Sequence, residues 1–165
     1  MNRIILIMCG ILLFSNCNRF KKDNLEIQVN ITEKLSSNKF KQYNGTFYSV
    51  RIDLINNTDS VIYFWTLSCS WEDNWLSSTK ALYLLGRVCD SNSPILRQIE
   101  PGKKFTFNGT IRVKEKLDRT DELKLGFILI SKNEMSDGDD LDKILTLKYN
   151  KQKDIIWSTP FKIDK

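Results

Sequence analysis

The sequence predicts an all-β domain, an antiparallel β-sandwich that follows an N-terminal signal segment. Three observations carry this expectation: apolar residues recur with period two, the segments between them hold turn-forming residues, and helical signals are weak. Leu25, Ile27, Val29 and Ile31 alternate with Glu26, Gln28, Asn30 and Thr32, the pattern of a strand with one buried face. Tyr48, Val50, Ile52 and Leu54 repeat it against Ser49, Arg51 and Asp53. Phe105, Phe107, Ile111 and Val113 repeat it again against Lys104, Thr106, Asn108, Thr110 and Arg112.

Two further runs, Val61 to Cys69 and Leu123 to Ile130, are apolar at almost every position. Strands covered on both sides read in this way. Ile144 to Tyr149 and Ile155 to Ile163 are expected to supply the closing strands. The stretch Ser78 to Leu85 holds good helix formers in Ala81, Leu82, Leu84 and Leu85, but Tyr83, Gly86 and the strands nearby favour a strand. Asn44-Gly45 suits a tight hairpin turn, Pro101-Gly102 the centre of a type II turn, and Asn56 to Ser60 a turn whose side chains bond their own backbone. Seven or more short strands at this spacing resemble immunoglobulin-like envelope domains, a likeness of architecture that carries no function.

The chain opens with Met1-Asn2-Arg3, then an apolar run from Ile4 to Phe14 broken only by Gly10, then Ser15-Asn16-Cys17. Such a run spans about 17 Å as a helix, well short of a hydrocarbon layer of about 30 Å, so it reads as the core of a signal peptide. The stretch Leu13-Phe14-Ser15-Asn16-Cys17 resembles the lipobox of bacterial lipoproteins, in the looser form found in Bacteroidetes-like bacteria. Phe14 stands where Leu is usual, and Asn16 where Gly, Ala or Ser is usual. The resemblance implies that Cys17 is acylated and becomes the first mature residue. Residues 1–16 would then be the signal peptide, 17–24 a lipidated cysteine with a short tether, and 25–165 the sandwich. The place implied is a bacterial envelope, with the protein anchored to the inner or outer membrane and lying in the periplasm or on the surface.

With Arg3 set aside, 24 Lys and Arg face 20 Asp and Glu. The cations are spread along the chain rather than clustered among aromatics, which argues against a nucleic-acid partner. The chain has no histidine, which removes Ser-His-Asp and Cys-His nucleophiles and His-ligated zinc. A domain of this size buries enough surface to fold without a metal or other cofactor, and none is expected. Cys69 and Cys89 remain once Cys9 falls in the leader and Cys17 in the lipobox. In an exported protein the pair points to a disulfide worth roughly 3 kcal/mol on the chain-entropy model; the alternative is two free buried thiols.

Trp65, Trp71 and Trp75 fall close together, with Glu72, Asp73 and Asn74 between the last two. Flat aromatics beside carboxylates and an amide suit a sugar, the ring stacking on a pyranose face and the polar groups taking its hydroxyls. Equally, Trp65 can pack in the core while Trp71 and Trp75 cover the disulfide and the sandwich end, and large aromatics serve packing more often than recognition. Glu72 and Asp73, if adjacent on a strand, point to opposite faces and make a poor pair for glycoside hydrolysis. The acidic segment Ser136 to Asp142 does not fit an EF-hand, since aligning Gly138 with the turn glycine puts Met135 and Ile144 at ligand positions. A solvated acidic hairpin loop is expected there.

The function expected is therefore that of a non-catalytic, membrane-anchored envelope domain. A glycan or an envelope protein is the expected partner, with Trp71, Glu72, Asp73, Asn74 and Trp75 as candidate contacts. An inhibitor or immunity-type lipoprotein acting on an envelope enzyme is the alternative, and a carboxylate-based hydrolase a more remote one.

Overall fold

The computed structural model describes residues 24–163 except 41, 88, 115–121 and 152–153. The expected signal peptide, Cys17 and most of the tether lie outside the described residues. Among the described residues, ten strands and one α-helix follow in the order β1 (Leu25–Leu35), β2 (Thr46–Asn56), β3 (Ile62–Leu67), β4 (Trp75–Ser77), β5 (Leu82–Leu84), β6 (Pro94–Ile99), β7 (Lys104–Val113), β8 (Leu125–Phe127), β9 (Ile130–Ser131), α1 (Leu141–Asn150) and β10 (Ile156–Trp157).

They form an antiparallel β-sandwich. One layer is a four-stranded sheet in the order β1-β2-β7-β5. The facing layer consists of two three-stranded patches, β6-β3-β9 and β10-β8-β4. The alternation in the sequence sets which residues meet between the layers: Leu25, Ile27, Val50, Ile52, Leu54, Phe107 and Ile111 from the first sheet pack against Phe64, Trp75, Leu125 and Phe127 from the second. Fully burying each such side chain stabilises the fold by about 1.5–3 kcal/mol relative to exposure.

The turns that carry the chain between layers are held by one side chain. Asn56 is buried, and its amide donates to the carbonyls of Ser60 and Ile99, both at 2.8 Å. Its Oδ1 accepts from the Thr58 backbone N–H at 2.9 Å and the Thr58 hydroxyl at 2.7 Å. Its own N–H and carbonyl bond Lys103 and Gly102, so the turn after β2 and the Pro101-Gly102 turn are fastened together. Gly102 sits at φ 66°, the left-handed conformation that a type II turn requires at its third position.

Several elements depart from the sequence expectation. Residues 144–149 form most of α1 rather than a strand. Asp140 caps the helix by accepting from the Lys143 N–H, and Leu141, Ile144 and Leu147 at helical spacing face a second apolar cluster with Trp65, Leu67, Ile128 and Ile130. The helix covers the outer face of the second layer. Strand β3 is thus apolar on both faces because a sheet lies on one side and a helix on the other, whereas the outer face of β8 is covered at Gly126 by Ile155 and Trp157.

The acidic segment is the entry to that helix and not a hairpin loop. The Asp139 carboxylate accepts from the Ser136 N–H at 2.8 Å, and Asp140 is the cap. The helix end is tied down by Lys151, whose ammonium meets the Leu129 carbonyl at 2.7 Å and Glu134 at 2.6 Å. The run 123–130 is split between β8 and β9, and 155–163 between the short β10 and a single bridge from Phe161 to Leu123. Nor do Asn44 and Gly45 make a tight hairpin. The connection from β1 to β2 is longer and contains a 3₁₀ turn, Ser37–Phe40, whose Phe40 stacks on Phe47 at 4.2 Å. Strand β5 occupies only the end of the expected 78–85 strand, after a turn closed by Leu82 N–H on Thr79 O. Among the described residues, no helix is long and apolar enough to cross a membrane.

Candidate functional site

The tryptophan-rich segment forms a 3₁₀ turn, Trp71–Asn74, between β3 and β4. Cys69 and Cys89 are disulfide-bonded with their Cα atoms 6.1 Å apart, which ties the start of this turn to the connection between β5 and β6. Asn92 reinforces the junction, its Oδ1 accepting from the N–H groups of Cys69 at 3.2 Å and Ser70 at 3.4 Å. Ser70 in turn donates its hydroxyl to Asp73 at 2.9 Å.

The turn points its aromatic rings inward. Trp71 is 8% exposed and Trp75 5% exposed. Trp71 stacks on Phe107 at 4.6 Å between centroids, while Trp75 meets the same ring edge-on at 5.7 Å and Phe127 at 4.9 Å. Neither ring offers a flat face for a sugar to stack on, so the two tryptophans serve packing and are not a platform. A 3₁₀ turn entering β4 places residues 71 and 75 on the side facing β7.

Asn74 is also structural. Its amide, buried between the two patches of the second layer, donates to Trp65 O at 3.2 Å and Ile128 O at 3.3 Å, while its own carbonyl accepts from Ile128 N–H. Asp73 is half-buried and pairs with Lys148 of α1 at 3.5 Å, linking the turn to the helix. The expectation that Glu72 and Asp73 are adjacent on a strand does not hold, since both lie in the 3₁₀ turn.

Glu72 is the unusual member. It is 7% exposed, and neither carboxylate oxygen has a hydrogen-bond partner in the described structure. Burial raises its pKa above the ordinary carboxylate value, against a weaker opposing pull from the backbone amides of Glu72 and Arg87 and from the Arg87 charge. Beside it the Trp75 Nε1 is likewise buried and unpartnered. Both residues line a groove of about 380 Å³ that continues along Ser77, Thr79, Leu82 and Leu84, between the edge strands β4 and β5.

A second constellation, which the sequence does not signal, lies on the outer face of the first sheet next to that groove. Arg112 of β7 has its guanidinium 4.4 Å from the Tyr83 ring and 5.3 Å from the Tyr43 ring. The Lys114 ammonium is 4.9 Å from the same Tyr83 ring. These residues come from three separate segments, and only the register that sets Tyr83 opposite Arg112 brings them together. Farther along the same face, Asp53 is buried beneath Lys104 at 2.8 Å, Thr106 at 2.6 Å and Arg51 at 3.4 Å. Burial alone would raise the Asp53 pKa, but the hydrogen bonds from Lys104 and Thr106 and the charges of Lys104 and Arg51 together lower it.

No protein-family model matches the chain, and no curated protein matches it. Among solved structures, a FixG-related protein from Vibrio parahaemolyticus is similar over 67% of this chain and 85% of its own, with 14% identity and a TM-score of 0.35. A likeness at that level carries neither fold nor function across.

Proposed function

We propose that the chain is an exported lipoprotein, held at a bacterial envelope membrane through Cys17, whose β-sandwich works by binding a partner rather than by catalysis. The observation that carries this reading is the Cys69–Cys89 disulfide. Disulfides persist in oxidising compartments, and a signal-type leader ending at a lipobox-like cysteine is the feature that would deliver the chain to one. The two acyl chains or more that such a cysteine bears would hold the protein on the membrane durably.

The candidate residues support a non-catalytic role. Asp73 is committed to Lys148 and Ser70, and Asn74 to the backbone of Trp65 and Ile128. Glu72 has no accessible oxygen to offer a substrate. Binding then falls to the surface rather than to the tryptophan turn.

Fractionation of the native host tests the reading. The wild-type chain should sediment with membranes and resist carbonate extraction, and Cys17→Ser should shift it to the soluble fraction or leave it as an uncleaved precursor. Wild-type protein found in the cytosol with Cys69 and Cys89 both open to alkylation would refute the proposal.

A further inference from the structure

Strand β5 is an edge of the first sheet, and the cationic residues beside it form no ion pair among the described residues. We propose that this edge is the docking strand for an extended acidic peptide, which adds antiparallel to β5 through main-chain hydrogen bonds while its carboxylates meet Arg112 and Lys114. The inference deepens the binding part of the preceding proposal and is independent of the lipid anchor.

The backbone supplies the first argument. Lys114 N–H bonds Ala81 O at 2.9 Å and Leu85 N–H bonds Thr110 O at 2.8 Å, with the Tyr83 and Arg112 pair between them. In an antiparallel ladder the intervening residues turn their groups the other way. Leu82 and Leu84 therefore direct theirs away from β7, toward the groove. The Leu82 N–H is used by Thr79 O. Among the described residues nothing bonds the Leu84 N–H or the carbonyls of Leu82 and Leu84. An unpaired edge of this kind is a template for a further strand.

Charge supplies the second. Among the described residues, neither Arg112 nor Lys114 forms an ion pair; both rest against tyrosine rings instead. Contact with a ring face leaves the cation's charge available. Lys104 and Arg51, farther along the same face, differ, being engaged with Asp53. Side chains of an added strand on the outer face would stand beside Tyr83, within reach of both cations. Those on the other face would enter the groove against Leu82, Leu84 and Trp75. The matching ligand is a segment that alternates acidic and apolar residues.

Position supplies the third. Leu35 pairs with Phe47, and Phe47 with Arg112, whereas Leu25 pairs with Asn56 at the other end of the sheet. A strand of this length spans about 33 Å, so the cluster lies at the end of the sheet remote from Leu25. It is thus well separated from Leu25, near which the described residues begin, and a partner can reach it without meeting that end of the sheet.

Binding of a labelled peptide alternating valine and glutamate, by fluorescence anisotropy on the detergent-extracted full chain, tests this. The peptide should bind saturably, at least tenfold more tightly than its valine–lysine counterpart, and Lys114→Glu should weaken it by about tenfold. Methylating the valine backbone nitrogens, whose N–H groups would face β5, should abolish binding, while methylating the glutamate nitrogens should largely spare it. No binding, or equal loss from either methylation, would overturn the proposal. Dextran sulfate displacing a methylated peptide that still binds would also overturn it and assign the cations to anionic polymers. The outcome is separate from that of the anchor, which is read from fractionation of the Cys17→Ser variant.

Discussion

The indole of Trp71 lies over Gly109, the one position in β7 where no side chain occupies the inner face. A Cβ built at Gly109 would stand 3.0 Å from the indole Cη2 and 3.2 Å from Cζ2. The glycine is therefore what allows the ring to stack on Phe107. Trp71→Ala should cost about 3–5 kcal/mol in urea unfolding, and Gly109→Val about 1–3 kcal/mol by pushing the ring off its seat. Trp71→Phe combined with Gly109→Ala should cost less than the two single changes added together, because the smaller ring leaves the new methyl its space. Additive losses, or a Trp71→Ala variant as stable as wild type, would contradict the packing role.

Glu72 is expected to make stability fall with rising pH. Its folded-state pKa is raised above 4.5 by burial, so the folded chain holds the proton more tightly than the unfolded chain does. The stabilising contribution is fully present below the unfolded value of 4.5 and is lost as pH climbs through the higher folded value. Glu72→Gln should therefore be more stable than wild type near neutrality, and the difference should vanish in acid. Comparing unfolding midpoints of the two proteins across that window isolates Glu72 from Asp53, whose pKa is shifted the opposite way. A difference that does not change with pH would show that the carboxylate is hydrated in solution.

The bridge between Cys69 and Cys89 closes a loop over a sequence separation of 20. Cys89→Ala should lower stability by about 3 kcal/mol, and reduction of the wild-type protein should produce the same loss. Differential alkylation before and after unfolding checks that the pair is intact in exported protein. Free thiols in both states would contradict the oxidised form.

What the sequence makes legible follows from periodicity. Leu25, Ile27 and Val29 or Tyr48, Val50 and Ile52 face one way because a pleated strand leaves them no alternative, so β1, β2 and β7 are readable directly. Helix α1 is not, since Leu145, Leu147 and Tyr149 alternating with Thr146 and Lys148 mimic a strand and the decisive signals are the Asp140 cap and the spacing of Leu141, Ile144 and Leu147. The tryptophans illustrate a different limit. Whether Trp71 turns inward depends on Gly109, far along the chain, and on a 3₁₀ turn that nothing in Ser70 to Trp75 announces. Likewise Tyr43, Tyr83, Arg112 and Lys114 become neighbours only through strand register.

The most direct test of the proposed function is the intact mass of protein extracted from membranes of the native host. The account predicts a chain that begins at Cys17 and carries a diacylglycerol on that residue, with the Cys69–Cys89 bridge in place. A full-length, unacylated chain beginning at Met1 would contradict it.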